Sequence, residues 1–383
     1  MVRLAQPRPS SGAASPATQL RHGAAMPVML FFGKRAHQNS ASVADAPRYS
    51  FSATLIHAED ADEFVGMLRG YRLRLMQIDK GPFVADAVQT RLAGTLLSAA
   101  QYSRALVHSG EPPRDKITFA MGTARVPALW LDQQFEADDL LIVTSGTEID
   151  LVSQPGYGLA TASFPLELVQ ETLDHLGWTR LARSPRSLVA GLEQSKAAML
   201  RATFGAILRE AAMRPFNEQA TRRARSKSEH LLYGLLECAA APLPATRSVG
   251  NGERARVLKA ALAAIHDRPE DVLTVADLCR IARTGERTLH YAFTERFRLP
   301  PAHYMKAWRL NRVRDDLCRE QEPQTKIADI ANKWGFWHMG QFARDYRTWF
   351  QELPSDTYER KRHNALRGKW HYCGTLSPTQ NRL

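Results

Sequence analysis

The apolar positions of this chain change period part-way along. From about Tyr49 to Phe164 they come in short runs that alternate with polar residues, as in Arg72-Leu-Arg-Leu-Met-Gln-Ile78, Phe83-Val-Ala-Asp-Ala-Val88 and the stretch around Leu140-Leu-Ile-Val143. A period of two is that of a strand with one buried face. Turn-forming clusters separate the runs, among them Asp79-Lys-Gly-Pro82, Ser109-Gly-Glu-Pro-Pro113 and Gln154-Pro-Gly156. Roughly eight to ten evenly spaced strands predict a barrel or a double-sheet jelly roll, which can hold one small ligand. One short helix, Ala58–Leu68, precedes them. After Phe164-Pro165 the period becomes helical. Pro165–Leu176 and Pro185–Met213 are predicted helices, the second carrying Leu188, Leu192, Met199 and Ile207 on one face, and Glu218–Ala241 is a third. Pro242–Gly252 is rich in Pro and Gly and reads as a linker.

Leu273–Tyr358 has a different design. Val275, Leu278 and Ala282 fall at three- and four-residue steps, and Leu289 and Phe293 continue the stripe on a following helix. Ile327, Ile330 and Ala331, then Phe336, Phe342 and Tyr346, repeat the arrangement about fifty residues later. Each half is a short amphipathic helix, a tight turn and a second amphipathic helix. That is the helix-turn-helix signature, whose second helix enters the DNA major groove. Thr274 with Asp277 three residues on predicts an N-cap close to a capping box. Gly335 suits a turn with positive φ. The matching place in the first unit holds Arg283, which leaves that turn open to question.

At these residues the chain resembles the AraC/XylS family of bacterial transcription regulators. The resemblance runs from about Arg254 to Tyr358 and takes in the connecting helix Pro301–Leu317, with its Arg309-Leu-Asn-Arg-Val-Arg314 run, and Phe350-Gln-Glu-Leu-Pro-Ser355. Asp277-Leu-Cys279, Arg287-Thr-Leu289, Trp334-Gly-Phe-Trp-His338 and Gly340-Gln-Phe342 look most like the ethanolamine-utilisation regulators within it. The resemblance implies an α+β multidomain chain: a β-rich, cupin-like (jelly-roll) sensor domain with trailing helices, then an all-α tandem helix-turn-helix DNA-binding domain. It also implies an activator of a catabolic or metabolic operon, with repression left open. The expected divisions are a disordered extension over 1–47, the sensor at 48–164 and a packing or dimerisation segment at 165–241. The linker at 242–252, the DNA-binding domain at 253–363 and a tail at 364–383 complete the chain. Met26 is an alternative start to Met1.

Charge supports this division. The formal net charge is +12 over 383 residues. Residues 253–363 carry 21 Lys/Arg against 16 Asp/Glu, whereas residues 49–252 carry 21 against 22. The excess therefore sits with the helix-turn-helix pair and the two termini, as expected when one domain touches phosphates and another does something else. No apolar run approaches the roughly 18 residues of a membrane span. Cys238, Cys279, Cys318 and Cys373 have no metal-ligand spacing, and Cys279 and Cys318 fall on apolar faces, which fits a reducing cytoplasm.

The positions next to the turn on each second helix are the candidate DNA readers. In the first unit these are Glu286, Arg287, His290 and Tyr291; in the second, His338, Met339, Gly340, Ala343 and Arg344. Arg287 suits bidentate contact with guanine, His290 can donate to a base, and Tyr291 offers a hydroxyl and a thymine-methyl contact. Arg344 is the main donor of the second helix. Trp334, Phe336 and Trp337 read as core or turn packing. The expected partners are double-stranded promoter DNA, RNA polymerase, an unknown small-molecule effector and a second copy of the chain. No cofactor, metal or catalytic residue is expected. A cupin-type enzyme fused to a DNA-binding domain would need converging His and Glu ligands, but His57 and His108 stand alone. An alkylation-repair protein would need a reactive cysteine with metal ligands, a setting Cys238 and Cys373 lack. The ethanolamine-regulator likeness suggests a small amine effector.

Overall fold

The computed structural model describes residues 53–131, 133–178, 187–213, 218–240, 252–267, 272–319 and 325–366. The expected extension at 1–47, nearly all of the 242–252 linker and most of the tail lie outside these residues. Twelve strands form two antiparallel sheets among them. The larger sheet has the order β1 (Ala53–Ala58), β3 (Ala85–Leu92), β4 (Thr95–Tyr102), β11 (Gly158–Pro165), β6 (Lys116–Gly122), β9 (Asp139–Thr144) and β12 (Ser187–Gly191). The smaller runs β2 (Arg72–Gln77), β5 (Leu106–Glu111), β10 (Ile149–Ser153), β7 (Ala128–Trp130) and β8 (Gln133–Phe135). Helix α1 (Ala61–Met67) lies between β1 and β2, N-capped by Asp60, whose carboxylate accepts from the Glu63 amide at 2.9 Å.

Three layers of core follow from strand alternation. Ile56, Ala85 and Tyr102 of the larger sheet meet Leu75, Leu151 and Trp130 of the smaller in one buried cluster. The outer face of the larger sheet, with Leu97, Phe119 and Ala162, is covered by α2 (Leu166–Leu176), α3 (Gln194–Met213) and α4 (Glu218–Ala240), through Val169, Phe204 and Leu235. The outer face of the smaller sheet packs on the C-terminal helices: Ile78, Ala105 and Val152 share a cluster with Leu289, Trp308 and Trp349. At about 25 cal/mol per Å² of apolar surface removed from water, such shared clusters are the main force holding the layers together.

One expected helix is corrected. Of Pro185–Met213, Ser187–Gly191 is strand β12, paired antiparallel with β9, and the helix starts only at Gln194. Leu188 and Leu192 fit a helical stripe with Ile207 by spacing, but β9 offers an open sheet edge that Leu188-Val-Ala190 can extend, and period alone cannot separate the two. Met199, expected on the buried face, is 58% exposed, while Leu200, Phe204, Ile207 and Leu208 are buried.

The C-terminal helices are α5 (Gly252–Asp267), α6 (Val275–Ala282), α7 (Glu286–Phe297), α8 (Pro301–Arg319), α9 (Ile327–Lys333), α10 (Met339–Phe350) and α11 (Pro354–Leu366). Helix α8 is their axis. It buries Tyr304, Trp308, Leu310, Val313 and Leu317, with Tyr304 against Phe293 and Phe297 of the first unit and Trp308 edge-on to Trp334 of the second, ring centroids 5.6 Å apart. Among the described residues no helix is long and apolar enough to cross a membrane.

Candidate nucleic-acid interface

Each candidate reader is positioned by the short helix before it. In the first unit the Thr274 hydroxyl accepts from the Asp277 amide at 3.2 Å, and the Asp277 carboxylate accepts from the Thr274 amide at 3.0 Å, a complete capping box. Helix α6 then ends on Arg283 in the left-handed region, φ 50° and ψ 56°, with the Thr284 amide donating to the Cys279 carbonyl at 3.0 Å. The second unit closes the same way on Gly335, φ 79°, with the Phe336 amide donating to the Ala331 carbonyl at 3.0 Å. The turn is therefore as tight in both units. The residues differ because Arg283 is exposed, whereas a Cβ on Gly335 would lie 2.6 Å from Val272 Cγ2.

On α7, Glu286, Arg287, His290 and Tyr291 are all exposed, and Leu289, Ala292 and Phe293 are buried on the opposite side. Tyr291 stands between two guanidinium groups: Arg287 Cζ lies 5.6 Å and Arg254 Cζ 5.4 Å from its ring centroid. Two guanidinium groups thus pack on one aromatic ring of α7, and Arg254 of α5 is also ion-paired to Glu295 at 3.1 Å. His290 Nδ1 is 3.4 Å from the Thr294 hydroxyl.

On α10, His338 is the N-cap without a side-chain capping bond, and His338, Gly340 and Arg344 are exposed. Met339 and Ala343 are half-buried, and Met339 packs on the domain core. Two features differ from expectation. Trp337, expected as turn packing, is 64% exposed, because Phe336 and Phe342 already fill the space beneath the turn at 5.2 Å between centroids. Gln341 is exposed and accepts from Arg344 Nη2 at 2.9 Å, so this helix has an amide as well as a guanidinium on its outer face. Its place three residues before Arg344 is the signal that marks it.

Residues 278–360 match a family described as a helix-turn-helix domain. The chain is 30% identical over 102 residues to XylDLEGF operon transcriptional activator 3 of Pseudomonas putida, covering 27% of this chain and 31% of that protein. It is 29% identical over 100 residues to the probable thc operon regulatory protein of Rhodococcus erythropolis, covering 26% and 30%. The C-terminal domain is of the AraC/XylS type. The chain spans under a third of the length of these relatives. Among solved structures, the AraC-like transcriptional activator CuxR is 14% identical at a TM-score of 0.35, over 69% of this chain and 96% of that one. ToxT from Vibrio cholerae is 9% identical at 0.26, over 76% and 98%.

The β-rich domain that carries this AraC/XylS-type domain has a partly open cavity of about 80 Å³ between its two sheets, room for several water-sized spheres. Its wall includes Tyr71, Leu73, Tyr102, His108, Trp130 and Leu151. Tyr71 OH is 2.7 Å from the Thr161 hydroxyl, which is 2.7 Å from that of Ser98. Burial pushes the His108 imidazolium down to a pKa of about 3, so the ring is neutral, with Nε2 3.0 Å from the Ser153 hydroxyl. The isolated histidines of the sequence thus have ordinary partners, since His57 Nδ1 lies 2.7 Å from Asp86 Oδ1. Asp60, Asp62 and Cys318 bring three metal-capable atoms within 4.8 Å of one another. Asp60 already accepts from Arg314 Nη2 at 2.8 Å, which makes that group an ion-pair hub between the domains.

The wall between cavity and DNA-binding domain is one sheet thick. Across the smaller sheet Leu75, His108, Leu151 and Trp130 are paired in one row, and Met76, Val107, Val152 and Leu129 in the next. Leu75, Leu151 and Trp130 belong to the core between the sheets, and His108 lines the cavity there. The second row packs against the AraC/XylS-type helices. Successive residues of a strand point to opposite faces, so the wall residues His108, Leu151 and Trp130 are chain neighbours of Val107, Val152 and Leu129, which pack on the C-terminal helices.

Proposed function

We propose that the protein is a ligand-responsive transcription activator of a catabolic or metabolic operon, with no enzymatic activity, working in the cytoplasm. Its C-terminal units read two successive major grooves of promoter DNA, and its β-rich domain holds a small-molecule effector. The observation that carries this reading is the matched pair of exposed helix faces on α7 and α10, braced by the buried face of α8. In this reading Arg287, His290 and Tyr291 contact bases, with Glu286 accepting from cytosine. Arg344 and Gln341 supply the polar contacts of the second unit, His338 and Gly340 lie against the backbone, and Met339 and Ala343 make apolar contact. Trp337 adds an apolar contact beside the groove. RNA polymerase and a second copy of the chain are the expected protein partners.

The test is the salt dependence of promoter binding by the full chain. Each phosphate contact lowers log affinity against log salt by roughly 0.9, so a bipartite site gives a steep slope. Arg344→Ala should cost about 1–3 kcal/mol if it reads a base, with specificity relaxed at one position. An equal loss on every sequence, with the slope reduced by about one, would make Arg344 a phosphate clamp. Affinity independent of salt would refute DNA binding through these faces.

A further inference from the structure

The connecting helix α8 carries three arginines in the run Arg309-Leu-Asn-Arg-Val-Arg314, and two of them have acids. Arg312 Nη1 lies 3.4 Å from Asp315, and Arg314 pairs with Asp60 and Glu352. The lysines nearby are paired too, Lys306 with Asp345 at 2.7 Å and Lys333 with Asp316 at 3.1 Å. Arg309 has no carboxylate within reach among the described residues, and its Nε donates only to the Met305 carbonyl at 3.4 Å. Burial depresses its pKa with no acid to offset the loss. A half-buried cation without a counter-charge is costly.

The guanidinium lies over the Phe336 ring, Cζ 5.9 Å from the centroid, and Nη1 would stand 3.4 Å from a Cβ on Gly335. Val272, two residues before the N-cap Thr274 of α6, reaches the same glycine. Arg309 therefore sits where the entry to the first unit meets the turn of the second. That surface is open, with Val272 38% and Trp337 64% exposed. The turn runs into α10, whose N-cap His338 makes no side-chain capping bond, so the first amides of this reader also favour an anion.

We propose that Arg309 takes a phosphate of the DNA backbone between the two half-sites and so pins the second reader to the duplex at the turn before α10. The phosphate is the counter-charge that the surrounding side chains do not provide. Such a contact carries no base preference, so Arg309 acts on affinity and register and not on sequence. The inference rests on the reading of α7 and α10 as DNA readers, and it adds a contact outside both helices.

The test uses a duplex selected from random DNA by the full chain, and a scrambled copy of it. Binding to both is measured over a range of salt for the wild type, Arg309→Gln and Arg309→Lys. Arg309→Gln should weaken both complexes by the same factor, roughly tenfold at low salt, and lower the slope of log affinity against log salt by about 0.9. Arg309→Lys keeps the charge and should keep the slope. Neutral methylphosphonates, placed one at a time along the selected duplex, locate the partner. At one position between the half-sites the wild type should lose affinity, and Arg309→Gln should lose none beyond its own deficit. The wild-type scan decides the matter even if Arg309→Gln fails to fold. An unchanged slope in Arg309→Gln, a loss confined to the selected sequence, or no sensitive phosphate between the half-sites would each overturn the assignment. A wild type that binds no duplex would refute the DNA-binding reading itself, and this assignment with it.

Discussion

The Asn311 side chain exchanges two hydrogen bonds with the backbone of Gln77, 234 residues away. Its Nδ2 donates to the Gln77 carbonyl at 2.9 Å, and its Oδ1 accepts from the Gln77 amide at 3.0 Å. Asparagine thus completes the end of strand β2 as a neighbouring strand would, but from the middle of helix α8. Around it the Gly81 amide donates to the Trp349 carbonyl at 2.8 Å, Arg296 Nη2 donates to Asp150 at 2.6 Å, and Arg314 pairs with Asp60 and Glu352. The helix that sets the geometry of both readers is therefore fixed to the strand system that walls the cavity.

Asn311→Leu should loosen this joint without unfolding either domain. It leaves the Gln77 amide without its Asn311 acceptor, a cost of about 1–3 kcal/mol, and leaves the Gln77 carbonyl with the longer bond from Trp349 Nε1 at 3.4 Å. Limited proteolysis between the domains should become faster, and far-ultraviolet circular dichroism should not change. Unchanged proteolysis would show that the apolar contact alone holds the domains.

Gly335→Ala should destabilise the DNA-binding domain by about 1–3 kcal/mol, because an L-residue is strained at φ 79° and its Cβ meets Val272 at 2.6 Å. Arg283→Gly, at the equivalent turn of the first unit, should be neutral or mildly stabilising, since Arg283 already bears the left-handed strain at φ 50°. Urea unfolding of both variants checks the contrast. Equal effects would mean that the approach of Val272 to the second turn is not constraining.

Acid should destabilise the protein through His108. The folded state holds its pKa down to about 3 by burial, whereas the unfolded chain takes a proton near pH 6.5. Stability is therefore complete above about pH 6.5 and falls as pH drops toward about 3, at roughly 1.4 kcal/mol per pH unit. His266, held down to about 4 by burial first and by Arg312 next, adds in the same direction. His108→Gln should remove roughly 2 kcal/mol of the loss between pH 6.5 and pH 5. Urea unfolding at the two pH values measures it, and an unaltered pH dependence would show that His108 is protonated in the folded state.

The parts legible in the sequence were those set by local chemistry. The Thr274–Asp277 cap, the Gly335 turn and the stripes of α6, α7, α9 and α10 follow from residues a few positions apart, and the charge count separates the domains. What escaped was decided over long distances. Asn311 sits between arginines of the connecting helix, where no local pattern marks its partner, and only the fold brings Gln77 to it. Ser187–Gly191 becomes a strand because β9 has a free edge. Trp337 is exposed because two phenylalanines occupy the space it would need. The lining of the cavity was not legible, since its wall draws on eight strands whose inward faces are known only once their register is set.

In the proposed function, helix α8 presents two readers to one face of DNA. Selection of duplexes from random DNA by the full chain tests it most directly. Two half-sites with centres about 10 base pairs apart should be recovered. Base preference should be sharper under Arg287 and His290 than under Met339 and Ala343, because directed hydrogen bonds discriminate bases better than apolar contact. A single half-site, or two half-sites at variable spacing, would contradict the account.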